Sequence, residues 1–143
     1  MAAMTVLGAK GVLYRRVGEY SALADFDDAL ARSARLLGLT LVSPHRVTDA
    51  ELSLLDAEDH DEFFDVAELR AWESILGNAT DTGLRDVALD ESPESVRALA
   101  KEKIKDLGKH VKDVYGVGLT RIFVGTIGLD FQAGADDETS QDL

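Results

Sequence analysis

Residues Asp59 to Asn78, DHDEFFDVAELRAWESILGN, restrict the fold of this 143-residue chain more than any other stretch. Placed at about 100° per residue from Phe63, they put Phe63, Phe64, Ala67, Ala71 and Ile75 on one broad side. Val66, Leu69, Trp72 and Leu76 cover most of the rest. A surface helix carries one apolar stripe, whereas a helix that is apolar nearly all round is wrapped by its neighbours. The stretch also holds the only Trp and two of the five Phe. It is therefore expected to be the hub of the core, started by an Asp59/Glu62 capping pair and stopped at Gly77-Asn78. Phe63, Leu69, Trp72 and Ile75 are the expected core residues, joined by Leu107 from a later helix.

The other elements follow from periodicity and caps. Residues 1–18, interrupted by Gly8, Gly11 and Gly18, read as an irregular N-terminal extension. A helical domain is expected over 19–118. Its first helix runs from Glu19 to Leu37, with Leu23, Phe26, Leu30, Ala34 and Leu37 repeating at three and four and Gly38 as the stop. Thr48-Asp49-Ala50-Glu51 is a capping box that opens a brief second helix. The hub is third, and Ala79 to Glu91 reads as a loop. Ser92 and Pro93 open a long fourth helix whose Val96, Leu99, Ala100, Ile104, Leu107, Val111 and Val114 share one face. From Thr120 the period changes to two, with Phe123, Ile127, Leu129 and Phe131 on one side of an extended arm over 119–132. Residues 133–143 form an acidic tail too polar to pack by itself. The expected fold is mainly α: a small four-helix bundle with an extended C-terminal arm, a strand or hairpin, and an acidic tail.

Composition narrows the function. No run approaches the ~18 apolar residues of a membrane span. Met1 to Val12 lacks the charged start and cleavage site of a secretory signal. Without Cys there are no disulfides, thiolate metal sites or cysteine nucleophiles. The expected setting is a cell interior, or a particle assembled there. The net charge of −12 combines 17 Asp and 10 Glu with 9 Arg and only 6 Lys. Phosphate binding needs clustered cations, so no sequence-specific nucleic-acid partner is expected. Abundant Asp, scarce Lys and absent Cys match a halophile, whose salt screens the self-repulsion of such a charge.

Chemistry-bearing clusters are few. Asp56, Glu58, Asp59, His60, Asp61 and Glu62 are the densest group of hard-cation ligands, and Asp61, Asp65 and Glu68 share one helix face. No calcium-loop spacing accompanies them, and an acidic helix start suits the helix dipole, so no metal site is assigned. His45, His60 and His110 are scattered, no serine occupies a nucleophile elbow, and Gly116-Val117-Gly118 lacks the rest of a dinucleotide loop. Neither enzymatic activity nor a cofactor is expected. The most pointed feature is basic. Lys101, Lys105, Lys109 and Lys112 fall within about 80° of one another on the fourth helix, opposite its apolar stripe. Such a row is either a solvated face or a contact with an acidic surface, most simply the Asp61, Asp65 and Glu68 face of another copy.

Two stretches carry a resemblance: FFDVAELRAWESILGN over 63–78, and the helix from Ser92 continuing into YGVGL at 115–119 and GTIGLDFQ at 125–132. Together they resemble the small head-to-tail connector (adaptor) proteins of the neck of tailed viruses. The resemblance covers roughly residues 48–132 and rests on packing motifs. It implies a virion structural protein, assembled in the host cytoplasm, that forms a ring of commonly twelve copies between capsid and tail. It further implies a portal protein as partner above, with Phe123, Ile127, Leu129 and Phe131 of the arm docking onto it, and a tail or stopper protein below. A small cytoplasmic interaction or regulatory module of a halophile, dimeric through the fourth helix, is the alternative.

Overall fold

The computed structural model describes residues 4–116, and over them the chain is mainly helical, with no strand beyond an isolated antiparallel bridge between Ser43 and Arg46. The expected arm and acidic tail lie outside the described residues. Six α-helices and two 3-10 turns follow one another: α1 (Val6–Val17), a 3-10 turn (Gly18–Leu23), α2 (Phe26–Leu36), α3 (Asp49–Leu52), a 3-10 turn (Ala57–Asp59), α4 (His60–Asn78), α5 (Asp81–Asp86) and α6 (Pro93–Tyr115). The chain divides into two compact units, Met1–Leu107 and Gly108–Leu143, the boundary falling within α6.

The first unit is arranged on α4. Its Phe63, Val66, Ala67, Leu69, Ala71, Trp72 and Ile75 are all buried, on every side of the helix. Both α1 and α2 pack against it. Small residues on α2, among them Ala29 and Ala34, let the two helices approach closely, and buried Ser33 donates its Oγ–H to the Phe63 carbonyl at 2.6 Å. Leu13 of α1, Leu30 of α2, Leu52 of α3 and Val96 of α6 complete the interior. A fully buried Leu or Val is worth about 1.5–3 kcal/mol relative to exposure, so this set outweighs any local propensity.

The N-terminal segment departs from the expected irregular extension. It is a helix from Val6, capped by the Thr5 side chain, which accepts the Gly8 N–H. Gly8 and Gly11 each cost about 1 kcal/mol relative to Ala in a helix interior. Burial of Ala9, Leu13 and Val17, spaced at four, overrides that cost. The helix start has a second anchor, because the Asp49 carboxylate accepts the Val6 N–H at 2.7 Å.

The single helix expected over 19–37 is divided. Gly18 takes φ 74° and ends α1, a 3-10 turn follows, and Asp25 starts afresh by accepting the Asp28 N–H on its side chain. The Asp25 N–H is in turn held by Ser74 Oγ of α4 at 2.9 Å. Helix α2 stops as expected at Gly38, where φ is 98° and the Leu39 N–H closes back to the Ala34 carbonyl. The capping box at Thr48 and Glu51 is formed in both directions.

Two further local expectations are corrected. Asp59 makes no side-chain cap for α4; the 3-10 turn over Ala57–Asp59 feeds the helix directly. The loop expected over 79–91 contains α5, capped by Thr80 Oγ1 on the Gly83 N–H and burying Leu84. A Cβ at Gly83 would sit 2.2 Å from the Asn78 carbonyl oxygen, so only glycine permits this turn. Helix α5 ends in the same backbone closure as α2, but the left-handed position is held by Ala88, at φ 59°.

Helix α6 is capped by Ser92, which accepts the Ser95 N–H, with Pro93 at its first position. Val96, Ala100 and Ile104 are buried in the first unit, and Leu107 is half-buried. In the second unit the described residues are the last turns of α6 and Gly116. There His110 meets Tyr115 edge-on at 6.3 Å, and the Gly116 N–H donates to the Val111 carbonyl.

Candidate interaction surfaces

Lys101, Lys105, Lys109 and Lys112 are all exposed on α6, and among the described residues none of them is in an ion pair. The spacing sets Lys101 one turn from Lys105 in the first unit, and Lys109 one turn from Lys112 in the second. Like charges three or four residues apart on a helix cost a few tenths of a kcal/mol per pair. Favourable interaction with the helix dipole is confined to the last turn, which accounts for Lys112 and leaves Lys101 and Lys105 unexplained.

The acidic face of α4 is occupied otherwise than the sequence suggests. Asp61 is exposed, whereas Asp65 and Glu68 turn toward α1. Arg16 Nη1 lies 2.8 Å from Asp65 Oδ1 and 3.4 Å from Glu68 Oε1. The other Glu68 oxygen accepts the Trp72 indole N–H at 3.1 Å. The Arg16 guanidinium also stands 5.8 Å over the Phe64 ring. Asp65 and Glu68 thus fasten α1 to the hub within the chain, and of the three acids only Asp61 faces outward. Sequence spacing does not reveal this, because Arg16 comes from a segment about fifty residues away.

A second buried-edge ion pair joins Arg70 Nη1 to Glu73 Oε1 at 2.8 Å, and among the described residues Arg70 Nε is buried without a hydrogen-bond partner. Tyr20 donates its hydroxyl to the Glu91 carboxylate at 2.8 Å and stands 6.0 Å from Trp72. Burial, reinforced by Glu91, pushes the Tyr20 hydroxyl up to about 12. At the start of α4, partial burial raises the Glu62 carboxyl above its ordinary value, and the neighbouring Asp59 charge adds to the effect. The Glu51 carboxyl is lowered, first by the Val42 N–H and then by the Thr48 N–H.

The turn over 42–46 is a surface the sequence reading passes over. Val42, Ser43, Pro44, His45 and Arg46 are all exposed. Arg35 of α2 donates to the Pro44 carbonyl, and Glu51 accepts the Val42 N–H at 2.8 Å. Asp28 receives both Arg32 Nε at 2.9 Å and His45 Nδ1 at 3.0 Å. The only sequence clue is Pro44-His45-Arg46 between two arginines of α2 and the box glutamate.

Among the described residues no group of three or more His, Asp or Glu side chains is arranged to hold a metal ion. No helix there is long and apolar enough to cross a membrane. Phe123, Ile127, Leu129 and Phe131 lie outside the described residues. Comparison with protein-family models, curated proteins and solved structures gives no match to this chain.

Proposed function

We propose that this chain is a structural adaptor of a tailed-virus neck, in which copies assemble into a ring and the lysine face of α6 meets an acidic surface of the adjoining portal or tail component. The observation that carries this reading is the lysine face itself. A chain of net charge −12 gathers four of its six lysines along one helix, where all four are exposed and, among the described residues, none is in an ion pair. Carboxylates on a partner would attract this row and fix the register of docking. Asp65 and Glu68 are committed to Arg16, which is why the partner is placed on another component and not on that face of a neighbouring copy. Of the stretches that carry the resemblance to connector proteins, 63–78 falls on α4 and the part from Ser92 to Tyr115 on α6 and its cap, while 117–119 and 125–132 lie outside the described residues.

The test is the mass of the assembly in solution, for the chain alone and with a portal protein. A ring, or a complex with the portal, is the expected result. Lys105→Glu combined with Lys109→Glu should abolish joining to the partner while leaving the helical content unchanged. A double reversal that joins with undiminished stoichiometry defeats the role given to the lysine face. A monomer or dimer indifferent to the portal favours the small interaction module instead.

A further inference from the structure

The turn over 42–46 combines four properties. It is held rigidly, because Arg35, Asp28 and Glu51 bind its backbone or side chains from α2 and α3 and the Ser43–Arg46 bridge closes it. It is basic, with Arg32 and His45 at the Asp28 carboxylate, Arg35 on the Pro44 carbonyl and Arg46 exposed, against the two carboxylates of Asp28 and Glu51. It carries an apolar tip, since Val42 is 95% exposed. Arg46 has no ion-pair or side-chain hydrogen-bond partner among the described residues. Anchoring fixes the backbone, so a ligand would not have to order it on binding.

The complement of this patch is present on the same unit. Leu54 is 71% exposed, and Asp56, Glu58 and Asp61, which follow it, are exposed as well. None of these three carboxylates joins an ion pair among the described residues. The turn therefore offers an aliphatic side chain beside cations, and the Leu54–Asp61 segment an aliphatic side chain beside anions. Copies of a protein at −12 repel at long range, so a contact between them has to place opposite charges locally. We infer that the Val42–Arg46 turn of one copy docks on the Leu54–Asp61 edge of a second copy, with Val42 against Leu54 and the arginines and His45 facing Asp56, Glu58 and Asp61. Two different surfaces meeting head to tail are the kind of contact that closes into rings. The inference rests on the proposal that copies of this chain assemble, and it names the surfaces that join them.

The test uses the full chain and sedimentation velocity. Val42→Asp with Arg46→Glu makes the turn acidic, and Asp56→Lys with Glu58→Lys makes the edge basic. All four positions are exposed, and far-UV circular dichroism checks that each variant keeps its helices. Each variant alone should associate at least about tenfold more weakly than the unaltered chain, the equivalent of losing one good contact. Mixed together they should re-form wild-type-sized assemblies, because each acidic turn then meets a basic edge. Undiminished assembly of either variant, or no recovery on mixing, overturns the inference. If Lys105→Glu with Lys109→Glu prevents copies from associating while the turn and edge variants do not, copies assemble through other surfaces and the inference alone fails. An unaltered chain that stays monomeric removes the assembly proposal itself. Loss of inorganic phosphate or duplex DNA binding on Arg46→Glu, with assembly intact, would make the turn an anion site and also overturn the inference.

Discussion

Glu68 is the most informative single position, because its two oxygens serve two different partners. One accepts the indole N–H of Trp72, a side chain only 2% exposed, and the other lies 3.4 Å from Arg16. In Glu68→Ala the buried indole donor loses its acceptor, which costs about 1–3 kcal/mol. Loss of the Arg16 contact adds a few tenths, since Arg16 keeps Asp65 at 2.8 Å and the pair is partly exposed. The expected total is about 1.5–3.5 kcal/mol. Glu68→Gln retains a carbonyl acceptor for Trp72 and loses only charge, so it should cost about 0.5–1 kcal/mol. Urea unfolding followed by tryptophan fluorescence measures both, since Trp72 is the only tryptophan. The native emission should shift in the Ala variant and stay in place in the Gln variant. Equal costs for Ala and Gln would falsify the claim that the indole bond dominates. A Glu68→Ala protein of unchanged stability but reduced assembly size would return Glu68 to the subunit interface that the sequence reading assigns it.

Ala88→Gly should stabilise the protein by about 0.5–1 kcal/mol, because glycine removes the penalty of a left-handed φ of 59° and gives back part of it in chain entropy; a lower denaturation midpoint would show that the Ala88 methyl group is needed in place. Glu62→Gln should be more stable than the parent at neutral pH. The folded Glu62 carboxyl is raised, so the stability tied to its protonated form is present below the unfolded carboxylate range and lost as pH rises through the folded value. The advantage of the Gln variant should therefore vanish in acid, and a pH-independent difference would count against the burial account. Tyr20 should ionise at about 12 in a spectrophotometric titration, with stability falling between the ordinary tyrosine value of 10.0 and that point; Tyr20→Phe should remove that component.

The parts of the fold legible in the sequence are those specified by neighbours in the chain. The hub shows itself because apolar residues surround it, and α6 because Ser92, Pro93 and one stripe agree. The Thr48–Glu51 box lies within four residues and needs no tertiary partner. Helix α1 was hidden by Gly8 and Gly11, although Ala9, Leu13 and Val17 recur at the helical spacing of four behind Thr5. The break before α2 was hidden because Leu23, Phe26 and Leu30 run on through Asp25 without losing period. Only the capping role of Asp25, made firm by Ser74 from α4, divides them. Helix α5 has one apolar anchor, Leu84, too little to register as periodicity. The surfaces were harder still. Whether Asp65 faces a neighbour or Arg16 is decided by how α1 packs, and a single sequence carries no record of that.

The bond from the Val6 N–H to the Asp49 carboxylate has a consequence for the order of synthesis. Helix α1 is made before the hub, yet the carboxylate that completes its start comes 43 residues later. The side chains it packs upon, on α4, are made later again. With two glycines and only 12 residues, α1 is below the length at which an isolated helix holds in water. The contacts that hold α1 in place are thus complete only once the hub has been made through Asn78. For this helix the order of synthesis and the order of stabilisation are expected to run opposite ways.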